Sequence, residues 1–385
     1  VEFDFRCVLN KQPEMYPAPK LWDKNAFNDG QYLSGLYDLD FPIKAPDASK
    51  LLDEQITAQL LHWELEPGFF EKALPLFQHY WQGNNTEINK ILNPAVTSHT
   101  ECYQHHLLAN EIQLKQNGHY LSAMLHYAGE WYWGLDRLQY LEQRLNDLAL
   151  SNNNPHVKYN LGQKNFCQQL PEDKVREACD KGLNKTEIEM YWSIRSPYSY
   201  IALLRAKQLS SYYQVPLVIK PVLPMVMRRM QAPNTKKFYI SLDTKREAKQ
   251  MGIDFGLIAD PLGEGVERCY AIFKYAQEQG KGMAFLESYA RGVWAEGIRS
   301  DTDKGLKKIV ERVGLSWQDA QNLIASNSWR TWAQENLAQL YAEDLWGVPS
   351  FKYGSLKAFG QDRINCLERA IVQRFEMQPN ALKIS

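Results

Sequence analysis

No Cys-x-x-Cys pair occurs anywhere in the 385 residues, and the six cysteines lie scattered at Cys7, Cys102, Cys167, Cys179, Cys269 and Cys366. Six in so long a chain are too few for a disulfide scaffold. Their scatter also removes the paired thiols that thiol–disulfide exchange needs. A reducing, cytoplasmic setting is the expected one. Long apolar runs are missing too: none approaches the roughly 18 residues that cross a bilayer, and no signal-peptide pattern is visible. Neither sign of charge is in excess, since 44 Lys and Arg face 45 Asp and Glu, a formal net charge of −1. That balance argues against a nucleic-acid or membrane partner. Histidine is absent beyond His156, so a Ser-His-Asp hydrolase in the second half would have to borrow its base from the first. No Walker or dinucleotide glycine motif is present.

What is present is globular material. Hydrophobic residues make up 44% of the chain, with 11 Trp and 21 Tyr available for cores, which excludes whole-chain disorder. At roughly 100–200 residues per domain, the length suggests two domains.

The chain repeats itself. Gly134, Asp136, Arg137, Leu138, Leu141 and Glu142 are spaced as Gly360, Asp362, Arg363, Ile364, Leu367 and Glu368. Further upstream, Val8 matches Val222, Leu9 matches Leu223, Asp40 matches Asp254 and Phe41 matches Phe255, with Trp81 and Trp294 one position off that register. Ordered matches along both halves point to two diverged copies of one domain. The segment Met190–Pro216 has no counterpart in copy one, which therefore begins at what reads as its second strand. Trimming of the opening strand and helix is the expectation, because a sheet lacking a central strand leaves backbone groups unpaired.

In copy two, Ile188–Ser193 alternates apolar residues as a strand does. Tyr198–Ser210 reads as a helix, and Val215–Leu223 as a β-branched strand bounded by prolines. Residues 237–342 carry helical periodicity. Two short strands follow at Ser350–Tyr353 and Lys357–Phe359, then a helix from Gln361. Strand-helix-strand, a helical block, then strand-strand-helix is the order of a thioredoxin fold with a helical insertion. The polar stretch Asn152–Pro155 marks a break. The expected boundaries are a first copy at 1–150, a linker at 151–186 with one short helix around Pro171–Lys181, and a second copy at 187–385.

Three motifs carry the chemistry. Ser196-Pro197-Tyr198-Ser199 sits where the first strand gives way to the helix. Pro197 suits the first helical turn and Ser196 the N-cap. Free N–H groups and the helix dipole there favour an anion or a thiolate. Taken alone, Ser196 reads as a plain cap. Gly347-Val348-Pro349-Ser350 precedes the late strand pair. A cis Pro349 at that point would leave the backbone of Val348 open to an extended peptide. Gly360-Gln361-Asp362-Arg363 opens the last helix, where Asp362 either accepts from an ammonium group or simply caps.

In that order the three motifs resemble the DsbA-like group that holds 2-hydroxychromene-2-carboxylate isomerase and kappa-class glutathione transferase. The resemblance covers copy two throughout. It implies an α/β chain of two thioredoxin-like (DsbA-like) domains in tandem, each with a helical insertion, the first lacking its opening strand and helix. It also implies glutathione as cofactor. Ser196 would hydrogen-bond the glutathione sulfur, the Val348 main chain beside Pro349 would pair with its backbone, and Asp362, with Gln361 beside it, would take the γ-glutamyl end. Tyr198, Arg228 and Lys236 are the expected lining for an electrophilic small molecule. Arg228, Arg229, Lys236 and Lys237 form a basic cluster that reads either as a carboxylate site or as a solvated face.

The chain departs from the pattern in two places. Pro221–Arg229 stands where the family carries a Gly-rich stretch, and Ser122-Ala123 stands where copy two has Val348-Pro349. Copy one is therefore expected to be structural or altered. Cys102, His105 and His106 lie close together, but no second ligand pair follows at zinc spacing. The leading reading is a glutathione-dependent isomerase or transferase. Protein disulfide oxidoreductase and a non-catalytic binding module are the alternatives. Two copies in one chain allow an internal pseudo-dimer or a homodimer.

Overall fold

The computed structural model describes residues 4–8, 19–47, 49–64, 66–150, 166–230 and 234–376. Its contacts divide the chain into two compact units, Val1–Pro19 with Ala26–Asn160, and Lys20–Asn25 with Leu161–Ser385.

The first unit is mainly helical. Helices α1 (Pro19–Tyr37, of which residues 20–25 group with the second unit), α2 (Lys50–Trp63), α3 (Phe69–Trp81), α4 (Asn85–Ile91), α5 (Pro94–Thr97) and α6 (Gln104–Gln116) precede a hairpin of β1 (Met124–Tyr127) and β2 (Glu130–Trp133), and α7 (Leu138–Asp147) closes it. Local chemistry sets the starts: the side chains of Ser49, Asn84 and Asn93 each accept an N–H from the first turn of α2, α4 and α5. Leu52, Ile56, Leu60, Ala73, Leu76, Ile88 and Leu92 form the core. The hairpin turns on Ala128 and Gly129, both at positive φ (49° and 85°), the twist that suits a two-residue hairpin turn.

A wider thioredoxin-like sheet was expected here. Among the described residues the hairpin is the only sheet of this unit. Residues 4–8, where a strand was expected, do not join a ladder. The Cys7 N–H donates instead to the buried Glu64 carboxylate at 2.8 Å, and the Cys7 carbonyl accepts from Asn110 at 3.0 Å.

The second unit opens with α8 (Glu172–Asp180), then β3 (Ile188–Trp192), α9 (Pro197–Tyr213) and β4 (Leu217–Pro221). An insertion of α10 (Asn234–Gln250), α11 (Glu264–Glu278), α12 (Gly282–Trp294), α13 (Asp303–Glu311), α14 (Trp317–Leu323) and α15 (Trp329–Ala342) follows, and β5 (Ser350–Tyr353), β6 (Leu356–Phe359) and α16 (Ile364–Glu376) complete the unit. The sheet order is β4-β3-β5-β6, with β3 parallel to β4 and antiparallel to β5. The right order of elements was legible in the sequence.

Central β3 is covered on both faces, which is why its residues are apolar nearly throughout. Ile188, Met190 and Trp192 join the main core with α9, α11 and α12. Tyr191 points the other way, into a small cluster with Val222, Leu337, Leu340 and Leu345. Glu189 on that second face starts an ion-pair ladder across the sheet to Lys220 and Lys352, continued by Glu343 to Lys357. One expected boundary moves. Of the segment read as linker, residues 166–186 belong to the second unit, because Cys167, Leu170, Val175, Ala178 and Leu183 are buried in its core; residues 151–165 lie outside the described residues.

Candidate active site

The site is built where β3 ends. Two indoles fix the loop that follows it: Trp192 Nε1 donates to the Ser199 carbonyl at 3.0 Å, and Trp294 Nε1 donates to the Ile194 carbonyl at 2.9 Å. A fork between Arg195 and Asp260, at 3.1 and 3.0 Å, ties the loop to the segment after α10. Ser196 is the N-cap of α9, extended at φ −92° and ψ 113°, and its Oγ accepts the Ser199 N–H at 3.2 Å. Acceptance uses a lone pair and leaves the hydroxyl proton free to donate. Among the described residues that proton has no acceptor. Ser196 is half-buried, so its hydroxyl sits at an accessible helix N-terminus.

The β3–β5 register sets Tyr191 opposite Ser350. Continued one and two residues, it brings Pro349 level with Trp192 and Val348 level with Ser193. The Val348–Pro349 bond is cis. Among the described residues neither the N–H nor the C=O of Val348 has a hydrogen-bond partner, although Gly360 N donates to the Pro349 carbonyl at 2.9 Å. The Val348 main chain is thus an open strand edge level with Ser193, in the loop that leads to Ser196.

Gln361 lies on a short 3-10 turn, Gln361–Arg363, and is 1% exposed. Its Nε2 donates to Asp362 Oδ1 at 2.6 Å and to Glu247 Oε2 at 2.8 Å. Buried Arg205 of α9 donates to the Gln361 carbonyl at 3.2 Å. Burial pulls the Arg205 guanidinium down, opposed by the charges of Glu247, Asp362 and Glu368. Tyr198, third residue of the serine turn, donates to Asp243 Oδ2 at 2.6 Å, and Arg246 reaches the other Asp243 oxygen at 3.2 Å.

Helix α10 therefore links the serine turn to the Gln361–Asp362 turn, and sequence reasoning missed it. Tyr239, Asp243 and Glu247 recur at helical spacing, and a charged stripe of that kind ordinarily faces solvent. Here the stripe is buried, with Asp243 at 1% and Glu247 at 0% exposure, while Phe238 and Leu242 stand 70% and 67% exposed. The one available signal was the spacing of acids against Arg205 and Gln361, which lie in other elements.

The basic cluster divides. Arg228 donates to the Tyr341 hydroxyl at 3.0 Å, and its Nε is buried without a partner. Lys236 is half-buried on the first turn of α10, and burial lowers its pKa. Lys237 is exposed. No group of His, Cys, Asp and Glu able to hold a metal occurs among the described residues, and none of the helices described there is long and apolar enough to cross a membrane.

A sheet of this order, with a capped helix after its first strand and a cis-proline just ahead of β5, defines the thioredoxin-like class. Residues 187–372 match the DSBA-like thioredoxin domain, and this half of the chain is such a domain. It is 23% identical over 192 residues to 2-hydroxychromene-2-carboxylate isomerase of Pseudomonas putida, a match spanning 48% of this chain and 93% of that protein. A solved structure of 2-hydroxychromene-2-carboxylate isomerase covers 52% of this chain and 100% of its own, at 22% identity and a TM-score of 0.45. The cytosolic disulfide reductase DsbM from Pseudomonas aeruginosa covers the same shares at 15% identity and a TM-score of 0.38.

Proposed function

We propose that the second unit is a glutathione-dependent isomerase or transferase acting on an electrophilic small molecule. The observations that carry this reading are a serine, not a cysteine, at the helix N-cap after β3 and an open Val348 main chain level with the loop between β3 and that cap. The donor set fits a thiol peptide. Ser196 has a hydroxyl proton to give to sulfur, Val348 offers one N–H and one C=O to an extended backbone, and Gln361 and Asp362 lie one turn further along. Glutathione, when bound, would supply a thiolate nucleophile for reversible addition to an electron-poor carbon.

The chain's own residues do the rest. Ser196 and the positive end of the α9 dipole stabilise negative charge on the sulfur. Asp362 receives the ammonium of the γ-glutamyl end. Tyr198, Arg228 and Lys236 orient the second substrate, the two cations taking its carboxylate. Thiol–disulfide exchange is disfavoured: Ser196 and Ser199 occupy the positions where a cysteine pair would act. Of the second unit's cysteines Cys167, Cys269 and Cys366 are buried and Cys179 half-buried, with the Cys167 thiol pushed up to about 12 chiefly by burial.

Unit one is read as the remnant of a second copy. Its hairpin, 3-10 turn and helix follow the order of β5, β6 and α16, and Gly134 N donates to the Ala123 carbonyl at 3.0 Å as Gly360 N donates to the Pro349 carbonyl at 2.9 Å. The cytoplasm, where glutathione is abundant and reduced, is the proposed setting.

The test follows 2-hydroxychromene-2-carboxylate by ultraviolet absorbance, with and without millimolar glutathione. Conversion that requires glutathione and falls on the order of 100-fold in Ser196→Ala is expected. Glutathione binding without conversion of this or other conjugated aromatic acids would make the unit a binding module.

A further inference from the structure

Gln361 is gripped from both sides of its amide. On one side the Glu247 carboxylate accepts from Nε2 at 2.8 Å; on the other Arg205 Nη1 lies 3.4 Å from Oε1 and 3.2 Å from the Gln361 carbonyl. Glu247 is 0% exposed, Gln361 1% and Arg205 6%. An amide has two ends of opposite character, so these neighbours leave one orientation. Turned over, Oε1 would face two carboxylates, Glu247 and Asp362, and the NH2 group would face a guanidinium. In the orientation present, both Nε2 hydrogens are used, one on Glu247 and one on Asp362 Oδ1 at 2.6 Å.

We infer that Glu247 is a positioning residue of the thiol site: through Gln361 it fixes the Asp362 carboxylate that receives the ligand's ammonium end. The inference rests on the functional reading above. Glu247 does not touch the ligand. It belongs to α10, in the helical insertion, and carries the influence of that insertion to a turn 114 residues away in sequence. Glu247 and Arg205 also offset each other's charge, so the pair sets the amide without leaving a bare ion inside the domain. Nothing in the three motifs marks Glu247; only its burial against Gln361 does.

Replacement of Glu247 by glutamine keeps size and hydrogen bonding but weakens the preference, because the substituted side chain can offer either amide end and only Arg205 and Asp362 still favour the present orientation. The experiment titrates wild type and E247Q in calorimetry with three thiols: glutathione, γ-glutamylcysteine and cysteinylglycine. The first two carry the γ-glutamyl ammonium and carboxylate; the third lacks them. Expected in E247Q is a loss of about tenfold in affinity for glutathione and γ-glutamylcysteine, with cysteinylglycine changed by less than about twofold. R205K loosens the same amide from the opposite side and gives the same ligand-selective pattern, which covers the case of an unstable E247Q. Equal losses for all three thiols, or no loss for any, would overturn the role of Glu247 while leaving the cofactor intact. Failure of the wild-type protein to bind any of the three would overturn the functional reading and this inference with it.

Discussion

A buried carboxyl shows how single residues in this domain tie stability to pH. Glu368 of α16 is 0% exposed and accepts the Tyr213 hydroxyl at 2.8 Å. Burial raises its pKa above the ordinary 4.5, against the lowering effect of Tyr213. A raised folded-state value means that the native state holds the proton more tightly than the unfolded chain. The stability it contributes is complete below 4.5 and is lost as pH rises through the folded-state value. Glu368→Gln copies the protonated form. Thermal midpoints of wild type and variant should therefore agree in acid and separate in favour of the variant as pH rises, and a gap constant with pH would contradict this. Ser196 belongs to the same scale. Its residue type and the following proline made it legible as a cap, whereas Glu247 and Asp243 were not legible. A carboxylate's burial depends on partners in other elements, and Arg205 and Gln361 become such partners only after α9, α10 and the last turn meet.

Elements were read well where local chemistry decides them. Strand β3 is apolar because both faces are covered, and α9 starts at a capped proline. Helix α10 was legible as a helix but not in its orientation, since exposed Phe238 and Leu242 opposite buried Asp243 and Glu247 invert the usual pattern. The segment 166–186 was misread as linker because its few apolar residues, Leu170, Val175 and Leu183, give too thin a stripe to reveal a docked face. The turn before β5 depends on one small residue. A Cβ at Gly347 would meet Phe359 Cε2 at 2.6 Å, and Phe359 stacks on Trp346 with centroids 5.3 Å apart. Gly347→Ala must displace that ring beside Val348. The expected result is a loss of about 1–3 kcal/mol in urea unfolding together with weakened thiol binding. Unchanged binding would separate Gly347 from the site.

For the whole molecule, every residue assigned to the site lies in the second unit, whose core runs from Cys167 to Phe375. A fragment of residues 166–385 should fold cooperatively and keep its affinity for glutathione. The segment Lys20–Asn25, grouped with this unit, supplies a partly exposed ion pair, Lys24 with Asp344 at 2.6 Å, and an Asn25 amide donating to the Asp344 carbonyl at 2.7 Å. Losing both costs about 1–2 kcal/mol, so a fragment that fails to fold would show that unit two depends on more than its own core. The sequence match between the Gly134 and Gly360 turns goes with a shared backbone hydrogen bond at each. The upstream matches gave no sign that the Cys7 main chain pairs with Glu64 and Asn110 side chains.

The central claim is that Ser196 holds a thiol where a thioredoxin-like domain ordinarily carries its own. Calorimetric titration of glutathione into wild type and Ser196→Ala tests it most directly. Saturable binding is predicted for wild type, weakened by about 0.5–1.5 kcal/mol in the variant. No binding at millimolar glutathione, or equal affinity in the two proteins, would contradict it.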